Sequence, residues 1–177
     1  MLRGTRTARR TRIGLVLASL ALATVAGLAQ TAGPARTAAR LNFSLKDANG
    51  KSVRLADFKG RPLIINFWAT YCTPCKAEMP ALIALVEEFK AKQLTVLGIS
   101  VDDSADEIRA FQKEFPRTFP ANYPLLVGSG HDDLLEAYQA DIAVPITWLI
   151  RPDGSIATKA EGAQSKEWFQ AQIKAMF

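Results

Sequence analysis

Short alternating segments, continuous apolar runs and stretches with a three- to four-residue apolar period follow one another along this chain. Phe43-Ser-Leu-Lys and Ser52-Val-Arg-Leu flank Asp47-Ala-Asn49-Gly50, and the Asn-Gly pair supplies the positive φ angles of a tight turn, which predicts a short hairpin. Pro62 then opens Leu63-Ile-Ile-Asn-Phe-Trp68, a run suited to a strand buried on both faces. Met79, Leu82, Ile83, Val86 and Phe89 recur at three- and four-residue steps and predict a helix over 73–92. Residues 94–101 predict a second buried strand, and Ser104-Ala-Asp-Glu107 is a capping box for a helix reaching Phe115. Pro116, Pro120 and Pro124 interrupt the next stretch, in which 123–127 predicts a short strand and Asp132 or Asp133 caps a helix through Tyr138. Pro145 to Ile150, a Pro152-Asp-Gly154 turn and residues 155–161 predict a hairpin, and 166–177 an amphipathic closing helix. The alternation of strands and helices places the chain in the α/β class, with no internal repeat and no second domain boundary.

The first forty residues break this pattern. Arg3, Arg6, Arg9, Arg10 and Arg12 precede an uncharged apolar run over 13–29 that ends in small residues, the layout of a secretory signal. The run has about 17 residues, the short edge of a bilayer span, so retention as a membrane tether through residues 13–29 is the alternative to cleavage. Residues 30–40, rich in Ala, Thr and Arg, read as a linker, and 41–177 as one globular domain. The formal charge of +5 belongs to the leader: five of the 22 lysines and arginines lie there, leaving 17 against 17 aspartates and glutamates. A neutral body gives no reason to expect nucleic-acid binding. The expected location is therefore periplasmic or otherwise extracytoplasmic, either soluble after cleavage or tethered.

Two cysteines occur, Cys72 and Cys75, separated by Thr73 and Pro74. A structural bridge in an oxidising compartment gains from closing a long loop, and this pair closes almost none. Redox chemistry is the better reading; an inert pair or metal ligands is the bland one. Cys72 falls where the first buried strand yields to a helix, so unpaired backbone N–H groups and the helix dipole favour its thiolate. Cys75, one turn on, then acts as the resolving partner. Pro74 fixes φ and lacks a donor near the helix start.

The segment Asn66-Phe-Trp-Ala-Thr-Tyr-Cys-Thr-Pro-Cys-Lys-Ala-Glu-Met-Pro80, followed far downstream by Val144-Pro145-Ile-Thr-Trp-Leu-Ile150, resembles the TlpA/ResA-like branch of the thioredoxin superfamily over about residues 41–177. The resemblance implies a thioredoxin-like sandwich, a central mixed sheet with helices on both faces, an N-terminal hairpin and an inserted strand-helix unit. It implies a cis Val144–Pro145 bond facing Cys72, with Val144 pairing a substrate polypeptide through its main chain. Tyr71, Thr73 and Pro74 complete the expected substrate rim, Tyr71 standing where a tryptophan is usual. Glu78 matches a glutamate kept beside the thiols, with a solvated helix-start acid as the alternative. Asn66 replaces the buried aspartate of thioredoxin. The implied activity is dithiol-disulfide exchange without a cofactor, as a protein-disulfide reductase. The implied substrates are disulfide-containing exported proteins such as apocytochrome c, and a membrane thiol-electron transporter of the CcdA or DsbD type would recharge it.

Two rival activities use the same fold, copper delivery and peroxide reduction by a thiol peroxidase. His131 follows Gly128-Ser-Gly130 and reads as a loop residue, poorly placed as a copper ligand. Thr-Tyr-Cys departs from the element expected before a peroxidatic cysteine. No metal site is expected, since Asp102 and Asp103 read as a solvated helix start. Trp68 and Trp148 read as core, Trp168 as a packing residue of the last helix.

Overall fold

The computed structural model describes residue 1 and residues 36–101, 103–115 and 122–177; the leader from residue 2 to 29, Asp102, Pro116 and Pro120 lie outside the described residues. Among the described residues no helix is long and apolar enough to cross a membrane. The strands are β1 (Ser44–Asp47), β2 (Ser52–Arg54), β3 (Leu63–Trp68), β4 (Thr95–Ser100), β5 (Leu125–Val127), β6 (Ile146–Ile150) and β7 (Ile156–Glu161). The helices are α1 (Thr73–Glu88), α2 (Ala105–Glu114), α3 (Asp132–Ala137) and α4 (Lys166–Lys174), with 3-10 turns at Leu55–Phe58 and Lys90–Lys92.

All seven strands join one sheet in the order β2-β1-β5-β4-β3-β6-β7. β3 pairs in parallel with β4 and antiparallel with β6, so the sheet is mixed, as the thioredoxin-like reading requires. Every residue of β3 is buried, which explains its unbroken apolar run. Its side chains alternate between two cores. Ile64 and Trp68 pack with Met79, Leu82 and Leu85 of α1, Ile108 and Phe111 of α2, and Phe169 and Ile173 of α4. Leu63, Ile65 and Phe67 pack with Leu55 and with Leu134, Leu135 and Tyr138 around α3. Helices thus cover both faces, and β5 with α3 forms the inserted strand-helix unit.

Several boundaries differ from the sequence expectation. α1 stops at Glu88 because the chain must reverse into β4: Gln93 takes a left-handed conformation (φ 58°), which delivers Leu94 to the core. α4 ends at Lys174, and Ala175 and Met176 close it with turn hydrogen bonds to the Ala171 and Ile173 carbonyls. His131, not an aspartate, holds the N-cap position of α3, and Asp132 and Asp133 fall in its first turn. The capping box of α2 is present in both directions, Ser104 with Glu107. Trp148 is only partly buried and donates its Nε1–H to the Tyr138 carbonyl at 2.9 Å. From Arg36 onward the expected linker is fastened to the β6–β7 turn, through Ala39 N–H to the Gly154 carbonyl and Ile156 N–H to the Thr37 carbonyl.

Candidate active site

Cys72 is the N-cap residue of α1, Thr73 its first helical residue and Pro74 its second. A two-residue spacer puts Cys75 at the third helical position, where its backbone N–H donates to Cys72 Sγ at 3.2 Å, so the motif spacing is also a capping spacing. That donor and the helix dipole stabilise negative charge on Cys72. The two sulfurs are bonded at 2.08 Å, so the structure is the disulfide form. Cys72 is 6% exposed against 1% for Cys75, which makes Cys72 the sulfur open to attack or to a partner.

Opposite Cys72 stands the cis Val144–Pro145 bond, with the Val144 carbonyl oxygen 3.7 Å from Cys72 Sγ. Beside this pair opens a cavity of about 470 Å³ lined by Tyr71, Cys72, Thr73, Pro74, Val101, Val144 and the 140–143 segment. Ile142 (88% exposed) and Tyr71 (67%) are large apolar side chains on its rim. The structure therefore brings together Tyr71, Cys72, Thr73, Pro74 and Val144, sites that the sequence separates by some seventy residues. Ile142 was invisible to pattern reasoning, because it stands among the apolar residues Ala140, Ala143 and Val144 and nothing local marks it as exposed; its only signal is that it stands three residues before Pro145.

Glu78 is buried (2% exposed), not a solvated acid. Its Oε1 accepts from Asn66 Nδ2 at 2.8 Å and its Oε2 from the backbone N–H of Gln164 at 2.9 Å. Asn66 also donates to Thr147 Oγ1 at 2.9 Å, its partner across the β3–β6 register. Burial pushes the Glu78 carboxyl up to about 7, opposed by the Gln164 and Asn66 hydrogen bonds. It lies one turn beyond Cys75 on α1, where side chains three apart are neighbours. Thr147 and Gln164 are site residues that the sequence did not flag, because neither carries reactive chemistry of its own.

Asp103 corrects the expectation of a solvated helix start. It is 4% exposed, and its carboxylate accepts from Thr70 N–H, Thr70 Oγ and Ser100 Oγ at 2.7, 2.7 and 2.6 Å. The reason is the parallel β3–β4 pairing, which aligns Trp68 with Ser100 and sets the loops beyond them side by side.

A thioredoxin-like sheet with a Cys-x-x-Cys disulfide at a helix start and a cis-proline facing it defines a thiol-disulfide oxidoreductase. A family model described as the AhpC/TSA family matches residues 37–159, and the chain belongs to that family, on its ResA-like thiol-disulfide oxidoreductase side. It is 31% identical over 133 residues to the thiol-disulfide oxidoreductase ResA of Bacillus thuringiensis subsp. konkukian (strain 97-27), covering 75% of this chain and 73% of that one. Among solved structures, the thioredoxin-family thiol:disulfide interchange protein of Chlorobium tepidum TLS matches with a TM-score of 0.69 at 25% identity, over 82% of this chain and 99% of that one. The pneumococcal exposed lipoprotein thioredoxin Etrx1 of Streptococcus pneumoniae strain TIGR4 matches with a TM-score of 0.62 at 26% identity, over 75% and 98%.

Proposed function

We propose that this protein is an extracytoplasmic reductant of disulfides in exported proteins. The observation that carries the reading is the position of Cys72 Sγ, which accepts the Cys75 N–H at a helix start and lies against the Val144 carbonyl at the edge of an open cavity. The Cys72 thiolate attacks a substrate disulfide, one substrate sulfur leaves as thiolate, and a mixed disulfide forms. Cys75 then attacks Cys72 Sγ and releases the second substrate thiol, so two protein thiols become one disulfide as one substrate disulfide becomes two thiols. Glu78, whose carboxyl titrates near 7, takes the proton that Cys75 loses. Asn66 suits either state of that acid, because its amide offers a donor or, turned over, an acceptor.

Substrate polypeptide lies in the cavity between Tyr71, Thr73, Pro74 and Val144, with the cis bond to Pro145 presenting the Val144 main chain that pairs with the substrate. The leader over 1–29 directs export or tethers the domain, which agrees with the description of the pneumococcal relative as an exposed lipoprotein. A CcdA- or DsbD-type transporter returns electrons to the disulfide, and apocytochrome c is one substrate of the right class. Equilibrating the protein with dithiothreitol buffers and titrating its free thiols tests the direction. A reductant holds its disulfide against all but strongly reducing buffers, whereas a disulfide lost in mild glutathione buffer would reverse the proposed direction. Copper titration and peroxide consumption, both expected to be negligible, separate the rival activities.

A further inference from the structure

Asp103 touches neither cysteine, yet it is the side chain that fastens the loop carrying Cys72. That loop is short: β3 ends at Trp68 and α1 is capped at Cys72, so only residues 69–71 lie between. Within it, Cys72 N–H donates to the Ala69 carbonyl at 3.1 Å and closes a turn. Thr70 sits inside that turn, and both its N–H and its hydroxyl are taken by the Asp103 carboxylate. Asp103 is in turn held from below, since its own N–H donates to Ser100 Oγ at 3.1 Å while the Ser100 hydroxyl donates back at 2.6 Å. Ser100 is locked by the strand ladder, and its carbonyl accepts the Gly128 N–H at 2.8 Å. A chain of short bonds thus runs from the sheet through Ser100 and Asp103 to the loop of the attacking sulfur. A nearly buried carboxylate makes strong hydrogen bonds, because its donors are charge-assisted and water does not compete.

We propose that Asp103 is a positioning residue that pre-organises Cys72 against Cys75 and so makes the dithiol a stronger reductant. In the disulfide form the S–S bond already holds Cys72 against α1, and the clamp fits that arrangement. Once the bond is opened only the loop restrains Cys72. A clamped loop keeps the first sulfur within reach of the second, which raises its effective concentration and favours ring closure. An unclamped loop lets the open form gain conformational freedom that the closed form cannot. Loss of the clamp therefore costs the disulfide form more than the dithiol form, and slows the attack of Cys75 that resolves a mixed disulfide.

This rests on the Cys72–Cys75 exchange assigned above, and the experiment separates the two. Native protein, Asp103→Asn, Thr70→Val and Thr70→Ser are equilibrated with dithiothreitol, whose dithiol reduces the protein disulfide as it becomes the cyclic disulfide, and protein thiols are counted by alkylation. Asp103→Asn keeps the shape but turns one acceptor into a donor, and is expected to shift the equilibrium toward the dithiol about three- to tenfold, the scale of one or two hydrogen bonds to a charged group. Thr70→Val keeps the backbone bond and loses the hydroxyl, so its shift has the same sign and is smaller, roughly two- to threefold. Thr70→Ser restores the hydroxyl and the native equilibrium. A clamp serving only the fold would lower the unfolding stability of oxidised and reduced protein equally and leave the equilibrium unmoved; that result, or a shift toward the disulfide, overturns the proposal. A native disulfide that proves easily reduced sinks only the reductant reading, because the clamp is read from variant against native.

Discussion

Glu78 carries a carboxyl group that burial has moved to about 7, and its linkage to stability has a definite sign. The folded value lies above the ordinary 4.5, so folded protein binds the proton more tightly than the unfolded chain. The stability this confers is complete below about pH 4.5 and is lost as pH rises through about 7, on the order of 3 kcal/mol in all, because each tenfold gain in proton affinity is worth ~1.4 kcal/mol. Chemical denaturation of native and Glu78→Gln protein across pH 4 to 8 checks it. The native curve is expected to decline over that window and the curve of the Glu78→Gln variant to lack that decline. The same substitution removes a negative charge beside Cys75, so alkylation of the reduced pair is expected at a lower apparent thiol pKa; superimposable rate profiles would reduce Glu78 to a structural acid. At the sulfurs, Cys72→Ser is expected to abolish reduction of a polypeptide disulfide, and Cys75→Ser to accumulate mixed disulfides visible on a non-reducing gel. Trapping by Cys72→Ser instead would reverse the roles.

At the scale of elements, the site depends on where strands and helices end. β4, for example, ends beside Gly128, where a Cβ would stand 2.5 Å from the Ser100 carbonyl oxygen and 2.8 Å from an Ile99 methyl carbon. Backbone cannot give way there as a flexible side chain could, so Gly128→Ala is expected to cost about 1–3 kcal/mol in unfolding free energy. Because Ser100 anchors Asp103, the same change should loosen the Cys72 loop; urea titration monitored by tryptophan fluorescence measures the first effect. The 140–144 segment makes a different contribution. Ile142 is exposed beside the cavity, so Ile142→Ser is expected to raise KM for a polypeptide disulfide about three- to tenfold, the worth of a partly buried apolar contact. Its rate with a small disulfide such as oxidised glutathione should stay unchanged. A parallel loss with both would place Ile142 in the chemistry instead of in substrate binding.

For the whole molecule, four separate stretches converge on one end of the sheet: the β3–α1 loop, the β4–α2 loop, the 140–147 segment and the β7–α4 loop with Gln164. Elements were legible in the sequence wherever the information is local. The alternation in Phe43 to Leu55, the unbroken run of β3, the α1 stripe and the Ser104–Glu107 capping box each depend on neighbours within a few residues. So does the redox centre, since Cys72 and Cys75 meet through a helix cap that the two-residue spacing itself builds. The resemblance supplied the cis Val144–Pro145 bond and a role for Glu78. The fates of the acidic residues were not legible, because an aspartate written before a helix looks the same whether water or a buried loop accepts it. Only the parallel register of β3 and β4 set Asp103 under Thr70, only the β3–β6 pairing gave Asn66 its Thr147 partner, and only the return of the chain at Gln164 sealed Glu78 from solvent. The sequence by itself determined the elements and the reactive pair, since hydrogen bonding and apolar period are local properties. Tertiary structure decided which polar groups are buried and with whom, because burial and long-range hydrogen bonds exist only once distant segments have packed.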